Sequence, residues 1–293
     1  MPMTSTRDYR IFGLFMFIVF SWGLSWPITK IGLTYMSPLW YTAFRLIVGT
    51  TTMMTLVILL KKFTLPKKRD LPIILIIGFL DISFYILLAN IGLTYLPAGH
   101  SSLLAYTTPL WIMPIATLFF KEQANWMRWL GFVLGIGGLM ILMSPWELNW
   151  SDHNVIFGSL MLLLASLCWA VSMLCVRYMR WTKPPLELIP WQLLIGTLPI
   201  LLFAIIKEPT IAPVWNTPLV LSLVYSGALV TGVSYWSGVV INKALPTTVV
   251  SLGFLLVPVF SLAVSAGFMH EIIQAPTIIA MGLILLGLVC VVV

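Results

Sequence analysis

The sequence has few charged residues, few histidines and few cysteines. Of its 293 residues 9% are charged and 60% are hydrophobic, whereas soluble proteins have roughly 25% charged residues. The three cysteines, Cys168, Cys175 and Cys290, lie in apolar stretches without metal-ligand or redox spacing. There is no glycine-rich loop followed by Lys-Ser or Lys-Thr, so ATP-driven work would require a partner protein. We therefore expect no cofactor and no resident metal.

Long apolar runs dominate the chain. Ten of them approach the roughly 20 residues that a helix needs to cross a bilayer. Their approximate bounds are 11–30, 38–60, 72–93, 98–119, 126–143, 155–176, 186–206, 218–241, 246–268 and 274–293. A backbone in hydrocarbon must satisfy its own hydrogen bonds, which continuous helices do. The runs therefore predict an all-α polytopic membrane protein with ten transmembrane helices in a lipid bilayer.

The second half of the chain repeats the first. A shift of 149 residues aligns Leu96-Pro97 with Leu245-Pro246, Pro109 with Pro258 and Glu122 with Glu271, and a shift of 147 aligns Trp22 with Trp169. We predict a first five-helix repeat over 1–144, an outer linker over 145–154 and a second repeat over 155–293. Because each copy has an odd number of spans, the two must be inverted, as is typical of secondary transporters.

Basic residues indicate the orientation of the helices. With the N-terminus inside, only Lys30, Arg45 and Lys207 of the 16 lysines and arginines fall outside the inner segments. An excess of Lys and Arg in cytoplasmic loops sets membrane topology, so we expect an inner-membrane protein with both termini cytoplasmic. The net charge of +7 is scattered over short loops, which argues against a nucleic-acid partner.

Several segments resemble a known family. They are Leu96-Pro97-Ala98-Gly99-His100, Thr108-Pro109-Leu110-Trp111, Phe120-Lys121-Glu122, the glycine-rich run 131–138, Ser21-Trp22-Gly23 and Phe44-Arg45. Together they resemble the EamA-type carriers of the drug/metabolite transporter superfamily. The resemblance implies ten helices in two repeats and a carrier of small metabolites, often an exporter, with aromatic-amino-acid exporters as one branch. His270 departs from the pattern, because many members have glycine before the glutamate.

Asp81 is the only carboxylate near the middle of a predicted helix. Its repeat counterpart is Val230, so the acid breaks the internal symmetry. Acids inside a membrane are costly and face a cavity or another helix. We predict that Asp81 binds a substrate amine or carries a coupling proton. A structural acid that is hydrogen-bonded to a neighbouring helix would give the same pattern.

Arg45 lies seven residues after Pro38 in the second predicted helix, and its repeat counterpart Gln192 is also polar. A guanidinium at this depth can bind a substrate carboxylate through two hydrogen bonds. Alternatively, its long side chain extends to the outer headgroups. Arg45 and Gln192 are both candidate substrate-binding residues.

Aromatic and hydroxyl side chains away from the loops supply the other candidates. Ser21, Ser25 and Thr29 form one stripe on the first helix, and similar stripes occur on the sixth and eighth. Aromatic walls with a few polar groups suit an apolar or aromatic substrate. The further candidates are Trp22, Ser25, Tyr85, Tyr106, Trp169, Ser234 and Tyr235. We expect Trp22 and Trp169 to meet near a pseudo-twofold axis.

Prolines and glycines suggest moving and fixed parts. Pro109 and Pro258 match across the repeat and predict a symmetric kink, which is either a gate hinge or a fixed bend. Helices five and ten lack polar stripes but contain glycines that allow close helix approach, namely Gly131, Gly135, Gly138, Gly282 and Gly287. We expect these two helices at the periphery, with a homodimer through them as one arrangement.

The sequence thus predicts a secondary transporter rather than an enzyme, exporting small metabolites such as amino acids by alternating access. Two alternatives remain. A membrane enzyme or lipid-modifying protein would need a catalytic pair at one membrane face. A carrier of nucleotide sugars would need several basic residues in its cavity, whereas a drug–proton antiporter of the small multidrug type would have an acid on helix one. Proton coupling and facilitated diffusion both fit the sequence.

Overall fold

The computed structural model describes residues 6–122, 125–143, 151–209, 213–261 and 275–292. Within these ranges the chain forms ten helices, some with local breaks, and no strand. They are α1 (Thr6–Leu33), α2 (Pro38–Leu59), α3 (Lys68–Tyr95), α4 (Ala98–Phe119), α5 (Trp126–Met143), α6 (His153–Tyr178), α7 (Pro185–Lys207), α8 (Thr217–Ala244), α9 (Thr247–Ser261) and α10 (Ala275–Val292). Glu271, the repeat counterpart of Glu122, lies outside the described residues.

The helices have the length and surface of a membrane protein. Seven of them, all except α5, α9 and α10, are long and apolar enough to span a bilayer, and those three are apolar but shorter within the described ranges. Large apolar side chains such as Leu59 (74% exposed) and Phe119 (77%) point outward. Such a surface is unfavourable in water and favourable in lipid. The chain is therefore an all-helical, multi-pass membrane protein.

Local sequence signals place several helix ends. The Ser37 hydroxyl accepts a hydrogen bond from the N–H of Trp40 at the start of α2, and Asn216 Oδ1 accepts one from the N–H of Leu219 (2.9 Å) at the start of α8. Each cap is followed within two residues by a proline. Capping oxygens satisfy N–H groups that lack a partner within the helix, and proline at this position removes one of them.

The two Leu-Pro dipeptides join consecutive helices in the same way. Leu96-Pro97 connects α3 to α4, and Leu245-Pro246 connects α8 to α9. Their leucines have nearly equal backbone angles, with φ −122° and ψ 157° in the first and φ −116° and ψ 158° in the second. The extended conformation follows from the proline ring, which disfavours helical angles in the preceding residue. We call these junctions the α3–α4 elbow and the α8–α9 elbow.

Helices α3 and α8 each contain a π-helical segment, at Gly78–Tyr85 and Tyr225–Ser234. A shift of 149 residues moves the first segment onto residues 227–234, inside the second. In α3 the Ser83 hydroxyl donates to the backbone oxygen of Gly196 in α7 (2.7 Å). Because π-turns are frequent at functional sites, these segments indicate where a site is expected.

Glycines bring the helices of the two repeats into contact as reciprocal pairs. A Cβ atom on Gly49 of α2 would lie 3.0 Å from the backbone oxygen of Gly227 in α8. Likewise, a Cβ atom on Gly196 of α7 would lie 2.6 Å from the backbone oxygen of Gly78 in α3. Gly49 aligns with Gly196 and Gly78 with Gly227, so the same contact occurs twice with the partners exchanged. A twofold relation produces this pattern.

Helices α5 and α10 pack along each other, beside α4 and α9. A Cβ atom on Gly138 would lie 2.6 Å from the backbone oxygen of Ala280, and one on Gly287 would lie 2.7 Å from that of Gly131. These contacts are again repeat counterparts. Gly131, Gly138 and Gly287 are thus used within one chain, whereas a Cβ atom on Gly282 would meet nothing within 4 Å.

Candidate functional site

Helices α1, α2, α3, α4, α6 and α8 surround a cavity of about 70 Å³. Its lining residues are Trp22, Ser25, Trp26, Thr29, Arg45, Asp81, Ile82, Tyr85, Ile86, Ala89, Asn90, Leu93, Tyr106, Trp169, Val230, Thr231 and Tyr235. Eight of the ten substrate-binding candidates from the sequence therefore lie on one cavity. The two that do not are Gln192 and Ser234.

Asp81 lies in the π-helical segment of α3, on the cavity. Its Oδ2 atom accepts hydrogen bonds from the Ser172 hydroxyl of α6 (2.8 Å) and the Tyr235 hydroxyl of α8 (3.4 Å). The residue is 6% exposed. Three helices therefore hold the carboxylate, and within the described residues its Oδ1 atom has no protein donor.

Arg45 reaches the same cavity from α2. Its Nε atom donates to Thr231 Oγ1 of α8 (2.8 Å), and Thr231 in turn donates to the backbone oxygen of Ser226 (2.8 Å) in the π-helical segment. Among the described residues no further hydrogen bond engages the guanidinium. Its two terminal nitrogen atoms therefore remain available to a ligand.

Arg45 and Asp81 form no ion pair with each other or with any other described residue. Unpaired charges are costly in a low-dielectric interior. Tyr85 lies within electrostatic reach of both groups. The cavity therefore offers a cationic and an anionic group, both of which retain binding capacity.

Trp169 is the centre of an aromatic cluster on the same cavity. Its ring centroid lies 5.5 Å from that of Trp22, 5.3 Å from Tyr85, 5.5 Å from Tyr106 and 5.7 Å from Phe254. Aromatic pairs at such separations each contribute about 0.5–1.5 kcal/mol beyond area burial. The structure thus brings together Trp22 and Trp169, the matched pair from the two repeats.

A second, smaller cavity of about 20 Å³ adjoins the first. Trp22, Asp81, Trp169 and Tyr235 line both cavities. The remaining lining residues are Met173, Val176, Gly238, Val239, Asn242 and Phe254. A cavity of this size holds about one water molecule. We call these four shared residues the central layer, because they line both cavities.

Gln192 and Ser234 lie away from the cavity because helix packing occupies them. Gln192 is fully buried in α7, and its backbone oxygen lies 3.1 Å from where a Cβ atom on Gly78 would be. Neither amide atom of Gln192 has a hydrogen-bond partner among the described residues. The Ser234 hydroxyl donates to Ser21 Oγ (2.8 Å), joining α8 to α1. Both residues therefore lie in contacts between helices and not on the lining of either cavity.

The matched prolines follow breaks in their helices. In α4 the α-helix ends at Ala105 and resumes at Thr108, just before Pro109. In α9 the first helical segment ends at Gly253, and the chain turns before Pro258. Proline has no N–H and its ring collides with the carbonyl four residues earlier, which explains a break at this spacing. The cluster residues Tyr106 and Phe254 lie in the two breaks.

Sequence reasoning missed three residues at the site. Trp26 lines the cavity beside Tyr106, and Asn90 Nδ2 donates to Thr42 Oγ1 (2.8 Å). Phe254 completes the aromatic cluster. The polarity of Asn90 deep in an apolar run was a usable signal. Phe254 carried no such signal, because the repeat aligns Tyr106 with the next residue, Leu255.

Comparisons with known proteins agree with this architecture. The model of the EamA-like transporter family matches residues 11–144 and 156–293. The uncharacterized transporter YoaV of Bacillus subtilis is 26% identical over 267 residues, which cover 91% of each chain. A protein named probable amino-acid metabolite efflux pump, from Salmonella typhimurium, is 27% identical over 289 residues, covering 94% of this chain and 92% of its own.

A solved crystal structure shares the fold. It covers 94% of this chain and 98% of its own, with a TM-score of 0.74 and 17% identity. The family model matches almost the whole chain, in two consecutive ranges. The protein therefore belongs to the EamA-like transporter family and is a membrane transporter rather than an enzyme.

Proposed function

We propose that the protein is a secondary transporter that exports small zwitterionic metabolites, amino acids in particular, by alternating access. The observation that carries this proposal is the presence of Asp81 and Arg45, unpaired, on one cavity. An α-ammonium group suits the free oxygen of Asp81, and an α-carboxylate suits the free guanidinium nitrogens of Arg45. Trp26, Tyr85 and Trp169 would contact the apolar part of the substrate.

The volume of the cavity supports a conformational cycle. Ligand pockets usually measure about 300–1,000 Å³, whereas the larger cavity here measures about 70 Å³. A substrate therefore requires the cavity to widen. Cavities on both sides of the central layer, and two inverted repeats over 1–144 and 155–293, suit alternate opening to the two faces.

Two further features support the orientation and direction of transport. The distribution of lysine and arginine favours an inner-membrane location with both termini in the cytoplasm. Relatives from Salmonella typhimurium and Escherichia coli are named probable amino-acid metabolite efflux pumps. We therefore propose that this chain exports amino acids.

Efflux from proteoliposomes tests the proposal. Vesicles containing the purified protein are loaded with one radiolabelled amino acid at a time, aromatic ones first, and dilution-driven efflux is followed with and without an imposed pH gradient. We expect at least one neutral amino acid to leave faster than from protein-free vesicles. A nucleotide sugar and an organic cation represent the competing substrate classes. Efflux of either of these without efflux of any amino acid would refute the proposed substrate class.

A further inference from the structure

Two basic side chains bind the carboxyl ends of the helices that lead into the elbows. Lys30 Nζ donates to the backbone oxygens of Leu93 and Leu96 (2.9 Å to the latter), where α3 ends. Arg177 Nη1 donates to the backbone oxygen of Lys243, where α8 ends. The last carbonyls of a helix lack partners within it and carry the negative end of the helix dipole. A cationic donor therefore stabilises each junction.

The two contacts are counterparts in the repeat. A shift of 147 residues places Lys30 on Arg177, and a shift of 149 places Thr94 on Lys243. The backbone oxygen of Thr94 lies 3.4 Å from Lys30 Nζ, so both repeats use a cation at the same turn. The excess of basic residues on the inner side does not account for Lys30, which falls outside the inner segments. The hydrogen bonds of Lys30 to the last carbonyls of α3 explain the presence of a basic residue there.

Each contact lies at the end of one cavity. Thr29 and Leu93 line the larger cavity and adjoin the first contact. Their repeat counterparts, Val176 and Asn242, line the smaller cavity and adjoin the second contact. The two cavities share the central layer of residues. They are therefore equivalent halves of one path, and each half ends at a basic residue bound to an elbow.

We propose that Lys30 and Arg177 are equivalent latches that hold the outer and inner mouths of this path closed. The inference rests on the proposed alternating access. Opening the outer mouth moves the α3–α4 elbow away from α1 and breaks the Lys30 contact, while the Arg177 contact stays formed. Opening the inner mouth does the reverse at the α8–α9 elbow. Both contacts are formed here, in agreement with the small cavity volume.

The segments beyond the elbows are built to move once released. Ala98–Ala105 lies between the α3–α4 elbow and the break before Pro109, and Thr247–Gly253 lies between the α8–α9 elbow and the break before Pro258. Each is a short half-helix bounded by a non-helical junction at both ends. Lys30 and Arg177 line neither cavity and contact neither Asp81 nor Arg45, so they are positioning residues.

Sided thiol labelling tests the latches. In a variant lacking the three native cysteines, Thr29→Cys reports the outer half of the path and Val176→Cys the inner half. Both positions are buried, at 4% and 2% exposure, so a membrane-impermeant maleimide reacts slowly while the mouths are closed. We expect Lys30→Gln to raise Thr29→Cys labelling from outside about tenfold, the factor for about 1.4 kcal/mol. Arg177→Gln is expected to raise Val176→Cys labelling in inside-out vesicles by a similar factor.

Controls separate a latch from a general structural role. Lys207→Gln and Arg180→Gln remove exposed basic residues near the same faces and should change neither labelling rate. Lys30→Arg retains a cationic donor and should keep outer labelling slow. Equal increases on both sides, or no increase on either, would overturn the inference. If Lys30→Gln does not yield folded protein, the inference is tested with Lys30→Met on the outer side. The labelling of Val176→Cys in Arg177→Gln tests the inner side independently.

Labelling requires no substrate, so each of the two proposals can be refuted independently of the other. Sided labelling without amino-acid efflux would refute the substrate class and leave the latches intact. Amino-acid efflux with unsided labelling would refute the latches and leave the transport function intact.

Discussion

In the proposed function, recognition of a zwitterion depends on two residues, Asp81 and Arg45, each of which keeps hydrogen-bonding capacity on the cavity. Asp81 uses one carboxylate oxygen for Ser172 and Tyr235, and Arg45 uses Nε for Thr231. These partners fix the charged groups in place without neutralising them. A buried charged group rejects a ligand that lacks its partner, because the group is then left unsatisfied.

Substrate analogues distinguish the roles of these two residues. A charged hydrogen bond contributes about 1.5–3 kcal/mol, so Arg45→Gln should weaken competition by an amino acid about 10- to 100-fold. The variant should barely affect competition by the matching amine without a carboxylate. Asp81→Asn should show the opposite selectivity, for the acid without an amine. Inhibition constants from competed efflux provide the measurement.

One result for Asp81→Asn would contradict its proposed role in substrate binding. Should Asp81→Asn leave transport, its pH dependence and the analogue preference unchanged, the carboxylate serves helix packing alone. Ser83→Ala is a matched control in the same π-helical segment. It removes a hydroxyl that binds a backbone oxygen of α7 and does not line the cavity.

Hydropathy and symmetry are sufficient to select Asp81 and Arg45, which both line the cavity, because a charge in an apolar run is rare and neither is repeated in the other half. They fail for Gln192, which is polar and repeat-matched to Arg45 but packs against the α3–α7 glycine contact. They fail also for Phe254, since the α9 break lies one residue out of register with that in α4. Contacts between distant helices decide both cases.

Among the structural elements, the broken helices α4 and α9 are the parts most suited to movement. Each break precedes a proline, and each carries an aromatic residue that contacts Trp169. Movement at one break therefore disturbs a ring that also contacts the other. In the proposed transport cycle, this arrangement links the outer and inner halves of the path.

Restoring the helices should impair transport. Alanine permits a continuous helix, whereas proline within a helix costs about 3 kcal/mol. Pro109→Ala together with Pro258→Ala should therefore favour straight helices and slow efflux by tenfold or more, without lowering the thermal unfolding temperature. Pro27→Ala is the control, because Pro27 lies inside α1, which has no break within its described residues. Full transport by the double variant would exclude a hinge at these prolines.

Element boundaries show what local sequence can and cannot predict. The apolar run at 72–93 predicts α3, but the helix begins earlier, at Lys68. The added turn is charged and still folds against the protein because Asp70 accepts a hydrogen bond from the N–H of Thr182 (2.8 Å), far away in the sequence. The π-helical segments are likewise invisible to a periodicity of 3.6 residues, which assumes a uniform helix.

For the molecule as a whole, the internal repeat relates most features of the structure. Reciprocal glycine contacts, matched elbows, matched π-helical segments and matched basic contacts all follow the same two shifts. The matching of these features could have been predicted, because the repeat is visible in the sequence. The shapes of the two cavities come from packing between repeats, which the alignment of the two halves does not describe.

The exchange of substrate across the membrane tests alternating access most directly. Proteoliposomes are loaded with a labelled amino acid that passes the efflux screen, and efflux is compared with and without the same unlabelled amino acid outside. Alternating access predicts faster efflux with external substrate, because the loaded protein returns more readily than the empty one. An efflux rate that does not depend on external substrate would contradict this mechanism and indicate a channel.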